Sequence, residues 1–412
     1  MWVGGAAIVT QVNVFTVGGS WAGSNEDLIT TITDSAGTSA SVTTTPAGTN
    51  EETDVRDVHL VALQAATNAL FTAITWTSSG TLIILGTAVV PGVPFAASVS
   101  EDSASGTYVL TNDGSGSSIL SEGPEDLDVD GSSNYASSNW VIANGATSVK
   151  PAANDTARFN TGSFDVKYGL NQSSIDLDEM RRTPGYKGVI GDPVKGLFLR
   201  YGVSNANDQA VTINSVVGDT WLHVTTDDIF VIALPRSANA LRLKGDVGNI
   251  NVNGSAVQGT ITCADAMVLD NFFADECQAM VAKIGAVTSL EKVHVGSGHV
   301  TLDMGSGSIV TGVQVWGNAT VIHKGLTGAS VALWEGFGGL SEYNGEGTLS
   351  LLEWHTGTFS LENSTADTVA IDGTNQRGGI VTDEGGAVNV VWSSFIRFGG
   401  GGSVSATLNQ FK

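Results

Sequence analysis

Three acidic residues at alternate positions form the clearest metal-type pattern in the chain. Asp126, Asp128 and Asp130 precede a glycine in the stretch DLDVDG. In a calcium loop, alternate carboxylates converge on one hard cation and the glycine permits a sharp turn. The twelfth position is Ser137 rather than a bidentate Glu. The pattern is therefore incomplete, and an acidic, solvated linker is the competing interpretation. Calcium is the one cofactor that the sequence suggests, and otherwise we expect none.

Neighbouring carboxylates are the second kind of candidate, because a glycoside hydrolase uses two of them about 5 to 9.5 Å apart. The candidate groups are Asp176 with Asp178 and Glu179, Asp227 with Asp228, and Asp383 with Glu384. Sequence does not fix their separations, and adjacent residues of a strand point to opposite faces of the sheet. The six His and two Cys residues show no metal-binding spacing, and no nucleophile or nucleotide motif is present. We assign no catalytic residue and expect no enzymatic activity, with a polysaccharide hydrolase or lyase as the open alternative.

Four tryptophans end short apolar phrases in the C-terminal third of the sequence. They are Trp316 in VQVW, Trp334 in VALW, Trp354 in LLEW and Trp392 in NVVW. Their recurrence predicts a ladder at equivalent corners of a repeating structure. Such a ladder either packs a core or seam, or offers flat apolar faces to sugar rings. We favour packing, because a repeat forces like residues to stack.

The repeat that would position these residues has a period of about 20. One series of apolar residues consists of Val293, Val313, Leu333, Leu352, Ile371 and Val391; a second consists of Leu302, Ile322, Leu340, Leu361 and Val381. This period is too short for a propeller blade, and the fixed Asn and leucine frame of a leucine-rich repeat are missing. It matches one coil of a right-handed parallel β-helix.

Residues 1–112 differ from the rest and predict an α+β module. Strand-like pieces surround one helix, whose start is indicated by a capping box of Thr49 and Glu52. The apolar face of that helix would include Val55 and Val58. Residues 113–139 predict an acidic linker rich in Gly and Ser, and residues 140–412 the parallel β-helix. The expected fold class is therefore mainly β.

Charge and hydrophobicity argue against two classes of function, nucleic-acid binding and membrane insertion. The chain has 412 residues, with 18 Lys and Arg against 41 Asp and Glu, which gives a formal net charge of −23. This charge repels phosphate backbones, so we expect no nucleic-acid partner. No apolar run approaches the ~20 residues that span a bilayer, and we expect no membrane insertion.

Two stretches carry a resemblance to a family. Residues 31–86, with their strand, strand, helix, strand order, are similar to a small module of phage structural proteins. The segment NWVIANGATSVKPAANDTARF, with Trp140, Pro151 and Asp155, resembles the opening of β-helical domains in phage and related bacterial surface proteins. The chain thus resembles bacteriophage virion proteins: tail spikes, tail fibres, head fibres and capsid decoration proteins.

The resemblance implies a structural role and transfers no active-site residue. It implies a homotrimer that contacts other virion proteins of the capsid or tail, and host surface polysaccharide as a further partner. The expected location is the virion, after synthesis in the host bacterial cytoplasm. A polysaccharide-degrading or polysaccharide-binding β-helix protein is the alternative.

Overall fold

The computed structural model describes most of the chain. The described residues are 2–3, 12–21, 26–34, 38–46, 51–90, 95–112, 140–141, 151–160, 165–167, 170–194, 196–203, 211–264, 266–284, 287, 290–326, 328–344, 348–361, 368–376, 380–383, 389–398, 403–406 and 410–411. Side chains are described in the same ranges, except at 2–3, 111–112, 140–141 and, apart from Thr382, beyond Leu361. The chain divides into two compact units. The first contains residues 1–151, 161–173 and 189–200, and the second contains residues 152–160, 174–188 and 201–412.

The first unit contains a module of antiparallel strands and two helices. Its strands are β1 (Trp2–Val3), β2 (Val12–Gly19), β3 (Leu28–Thr33), β4 (Ser39–Thr44), β5 (Ile74–Ser79), β6 (Ile83–Ala88), β7 (Ala96–Glu101), β8 (Gly106–Asn112) and β9 (Trp140–Val141). Its helices are α1 (Glu52–Ala65) and α2 (Ala69–Thr72). One sheet has the order β5-β6-β2-β8 and the other β4-β3-β7, while β1 pairs with β9. Alternate residues of β2 and β3 are buried, as expected for strands that cover a core with one face.

Helix α1 covers this core with a face that includes Val55, as predicted, but not Val58. Val55, His59 and Leu63 are buried, whereas Val58 is exposed. The helix begins at Glu52 behind Glu51, whose side chain makes no capping hydrogen bond, and Thr49 lies outside the described residues. The phase of the helix is set by the imidazole of His59, whose Nε2 and Nδ1 lie 2.8 Å from the hydroxyls of Thr30 and Thr44. A buried polar ring needs such partners, so it fixes which side of the helix faces the sheet.

Parallel strands make up the rest of the fold. They are β10 (Thr156–Phe159), β11 (Asn171–Leu177), β12 (Glu179–Arg182), β13 (Leu199–Val203), β14 (Val211–Asn214), β15 (Thr220–Leu234), β16 (Leu241–Val257), β17 (Thr260–Cys263), β18 (Val268–Asp275), β19 (Cys277–Lys283), β20 (Lys292–Val295), β21 (Gly298–Gly305), β22 (Ser308–Ile309), β23 (Gly312–Gly325), β24 (Ser330–Tyr343), β25 (Thr348–Ser360), β26 (Thr368–Gln376), β27 (Ile380–Asp383), β28 (Asn389–Phe398), β29 (Ser403–Ala406) and β30 (Gln410–Phe411).

These strands form a parallel β-solenoid of about nine turns over residues 156–360. The parallel pairing continues through β26 to β30. The mainly β fold, with a small N-terminal module followed by a parallel β-helix, is therefore confirmed.

Two rows of inward residues define the coils. Residues in register along the first row are Ile229, Ile250, Phe272, Val293, Val313, Trp334 and Leu352, with steps of 21, 22, 21, 20, 21 and 18. The backbone of Thr374 continues this register after 22 residues. Residues along the second are Leu241, Ile261, Ala282, Leu302, His323 and Tyr343, with steps of 20, 21, 20, 21 and 20. The predicted period is thus correct.

The predicted membership of the rows is partly wrong. Trp334, not Leu333, follows Val313 in the first row, and in the second row His323, not Ile322, follows Leu302. Each of these two errors is one residue, which in a strand exchanges the inward for the outward face. Leu340 and Ile371 are each off by three, because Tyr343 and Thr374 occupy the register positions predicted for them.

The early coils are joined through a buried arginine. Arg182 is only 1 % exposed, and its guanidinium donates to the carbonyl oxygens of Gly188 (2.7 Å), Val217 (2.6 Å) and Asp219 (3.0 Å). Each of these oxygens lies in a connection between strands. Since a buried cation is costly unless its donors are satisfied, these contacts hold the connections in place.

Candidate functional site

Outward side chains of the sheet that includes β18, β20, β23, β24 and β25 form a continuous surface. The inward residues on these strands, such as Phe272, Val293 and Val313, are fully buried. Residues between them point to the other face because side chains alternate along a strand. The parallel register places the outward residues of successive coils next to each other, roughly 4.8 Å apart.

Five outward rings on this surface form a stack, which we call the aromatic strip: Phe273, His294, Trp316, Phe337 and His355. Ring centroids are 6.2 Å apart for the first pair, then 6.1, 4.0 and 4.5 Å along the strip. The last two pairs are nearly parallel, with interplanar angles of 20° and 10°. The faces of Phe337 are thus covered by its neighbours. Stacking stabilises the outer surface of the sheet.

A notch opens at the end of the aromatic strip where the stack is interrupted. It has a volume of about 260 Å³ and is lined chiefly by Phe230, Asn251, Phe273, Asp275 and His294. Asn251 is the residue in register between Phe230 and Phe273. The two phenyl rings are therefore two coils apart, roughly 9 to 10 Å at ordinary strand spacing.

The polar groups of the notch are held in place by neighbours. Asn251 Nδ2 donates to Asp228 Oδ1 at 3.0 Å, and Asp275 Oδ1 accepts from the backbone N–H of Glu276 at 3.0 Å and from the hydroxyl of Ser297. A ligand ring that lies between the two phenyl groups and touches both needs a separation of roughly 7 to 8 Å between the phenyl planes. The notch can accordingly hold a saccharide-sized ring, with an amide, a carboxylate and an imidazole at its rim.

Beside the strip lies a row of hydrogen-bonding side chains. Gln314 Nε2 donates to Glu335 Oε2 at 2.9 Å, and Glu335 is in register with Glu353 on the next coil. His355 Nε2 lies 3.5 Å from Glu335 Oε1. The side chains of Glu335 and His355 are 16 % and 19 % exposed, so this cluster is partly shielded from water.

The four predicted tryptophans do not occupy equivalent positions. Trp316 is 40 % exposed, whereas Trp334 and Trp354 are fully buried. Trp316 is in register with Phe337, and Trp354 with Gly336. The predicted ladder is wrong because the phrases recur after 18 and 20 residues, whereas the coil from Val313 to Trp334 has 21. The backbone of Trp392 is in register with Ile371, and its side chain lies outside the described residues.

Among the described side chains, none of the predicted carboxylates belongs to a group of three potential metal ligands. Asp228 accepts from the side-chain amides of Asn249 and Asn251, both at 3.0 Å, which makes it part of a polar row between coils. Glu179 pairs with Arg181. Asp126, Asp128 and Asp130, with the linker that contains them, lie outside the described residues, and so does Glu384.

Sequence reasoning missed the aromatic strip, the notch and the Glu335, Glu353 and His355 cluster. The strip mixes Phe, His and Trp, so it is invisible to a search for one recurring residue type. Alternation in FFAD, KVHV and VQVW was the available signal, because it leaves an aromatic or imidazole residue between inward ones.

Among the described residues, no helix has both the length and the apolar character needed to cross a membrane. A comparison with protein-family models, curated proteins and solved structures gives no match to this chain.

Proposed function

We propose that this protein is an attachment component of a bacteriophage particle, and that its solenoid binds host surface polysaccharide at the notch. The observation that carries the binding function is the pair of phenyl rings, Phe230 and Phe273, separated by the small residue Asn251 on an otherwise stacked surface. A sugar ring presents apolar CH faces to such rings and hydroxyl groups to polar neighbours.

The rigid surroundings of the notch support this role. Its residues lie on paired strands, whose inward neighbours are fully buried. Little conformational entropy is lost when such a preformed surface binds an extended ligand. The virion location, the homotrimer and the contacts with capsid or tail proteins belong to the same proposal and rest on the sequence resemblance.

Binding is tested by isothermal titration calorimetry, in which the protein is titrated with capsular and lipopolysaccharide-derived glycans of candidate host bacteria. We expect Phe273→Ala to weaken binding of the recognised glycan by about tenfold or more, since a phenyl contact is lost. Phe337→Leu is the matched control, because that ring lies within the stack and away from the notch. Equal affinity of the wild type and Phe273→Ala would exclude the notch as the binding site.

A polysaccharide hydrolase is the second candidate, favoured by the adjacent Glu335 and Glu353. Their carboxylate oxygens lie within 4.8 Å of each other. Chromatography of the glycan after incubation with the protein distinguishes the two functions. An attachment protein leaves the chain length unchanged, whereas a hydrolase shortens it and loses that activity in Glu353→Gln.

A further inference from the structure

Three side chains at the opposite end of the aromatic strip bring metal-ligating atoms together. The ligand atoms of Glu335, Glu353 and His355 all lie within 4.8 Å of one another. Glu353 and His355 are two residues apart on β25 and share its outward face, while Glu335 lies in register with Glu353 on β24. Ligands on paired strands are held at fixed spacing, which suits a preorganised metal site.

The two carboxylates of this cluster repel each other, and a bound cation would relieve that repulsion. Glu335 and Glu353 are directly opposite each other on neighbouring strands, an arrangement of like charges that destabilises a sheet. Both side chains are partly buried, so water screens their repulsion less than on an open surface. A divalent cation between them would convert this repulsion into coordination.

The imidazole supplies an observation independent of the acidic pair. His355 Nε2 is shielded from solvent, makes no hydrogen bond and points towards Glu335 at 3.5 Å from Oε1. Buried polar atoms almost always have a hydrogen-bond partner, and an unsatisfied nitrogen next to two carboxylates fits a bound ion. The ring is held in this direction by Phe337, which stacks on it at 4.5 Å with an interplanar angle of 10°.

Glu335 is itself oriented from the other side. Its Oε2 accepts the hydrogen bond from Gln314 Nε2, so that Oε1 faces His355. A hydrogen bond to a ligating carboxylate is the usual outer-shell support of a metal site. The described contacts thus provide three ligands together with their supporting groups.

We propose that Glu335, Glu353 and His355 bind a divalent transition-metal ion of the zinc class. Imidazole nitrogen and carboxylate oxygen are both ligands of zinc, and three protein ligands leave a fourth position open to water or another ligand. Calcium and magnesium favour a shell of oxygen ligands and are disfavoured by the imidazole. This inference goes beyond glycan binding and does not depend on it.

The test uses the full-length protein, dialysed against a chelator and titrated with ZnCl₂ alone by calorimetry. We expect one zinc per chain and a higher melting temperature in zinc. Glu353→Gln and His355→Gln should each weaken zinc binding by about 100-fold or more, since loss even of an outer-shell partner costs 10- to 100-fold. Glu342→Gln is the matched control, because it removes the same charge from the neighbouring strand β24, away from the cluster.

Three outcomes would overturn the assignment. They are no zinc uptake by the wild type, equal affinity of wild type and both ligand variants, and tighter binding of CaCl₂ than of ZnCl₂. Circular dichroism of each variant establishes that it is folded. Because zinc is titrated without any glycan, failure of this test leaves the glycan proposal intact, and failure of glycan binding leaves this one intact.

Discussion

At the scale of single residues, Gly336 and Trp354 show how the interior of the solenoid holds large rings. They are in register on neighbouring coils, and both are buried. A Cβ atom at position 336 would lie 2.1 Å from the indole of Trp354, well inside van der Waals contact. The glycine provides the space that the indole fills. A second tryptophan at position 336, in register with Trp354, would have no room.

We therefore expect Gly336→Ala to reduce the free energy of unfolding by about 1 to 3 kcal/mol, the usual cost of overpacking. Trp354→Leu alone should also destabilise, because it leaves a cavity. The double variant should be more stable than the sum of the two single effects predicts, since the smaller side chain makes room for the new methyl group. Urea denaturation of all four proteins measures this coupling, and strictly additive effects would contradict the contact.

At the scale of the strand, β23 shows how the alternation of side chains decides which residues face the interior and which face outward. Val313 and Val315 are fully buried, whereas Gln314 between them and Trp316 after them point outward. In β24 and β25 the tryptophan ends the same kind of phrase but falls on the inward face. One step along a strand thus separates a core residue from a surface residue.

Val313→Asp tests the register of this strand. Val313 lies between Val293 and Trp334 in the first inward row, so the new carboxylate would be buried without a partner. We expect a loss of about 3 kcal/mol or more in the free energy of unfolding. Thr301→Asp, at an outward position of β21, is the control and should change stability by much less. An unaltered melting temperature of Val313→Asp would mean that residue 313 does not face the interior.

The sequence predicts the length of the coil correctly but does not predict which residues lie in register on neighbouring coils. Val293, Val313 and Leu352 were assigned to one row because apolar residues recur at the coil length. Leu333 and Ile322 were placed in rows by hydrophobicity, although Trp334 and His323 fill those positions. Coils of 18 to 22 residues contain irregularities of one or two residues, and these lie in turns and bulges that carry no hydrophobic signal. The notch and the cluster of Glu335, Glu353 and His355 depend on that register, so they could not be predicted.

At the scale of the whole molecule, each of the two units encloses a histidine. His59 is surrounded by hydroxyl groups in the first unit, and His323 stacks on Tyr343 at 4.3 Å in the second. Burial lowers the pKa of both imidazoles from 6.5 to about 4. Below pH 6.5 the unfolded chain binds protons that the folded units do not accept, so stability falls until the pH reaches about 4.

Each histidine should lower the free energy of unfolding by about 3 kcal/mol across this window, and by about 1.4 kcal/mol per pH unit. Melting temperatures between pH 7 and pH 5.5 isolate the effect, because most carboxylates remain ionised there. His323→Phe should make the melting of the second unit less sensitive to pH, while the first unit continues to respond through His59. Equal sensitivity of wild type and variant would show that His323 stays accessible to protons in the folded protein.

The coil-by-coil register also constrains how such a chain can change length over generations. Each coil contributes one residue to every row. Insertion of a complete coil therefore leaves the inward or outward direction of every side chain before and after it unchanged. A deletion of one residue within a strand would instead turn the outward side chains after it inward and the core side chains outward. Duplication of whole coils is accordingly the step by which the outer surface that carries the aromatic strip could be extended, and proteins related to this one should differ in length by multiples of about 20 residues.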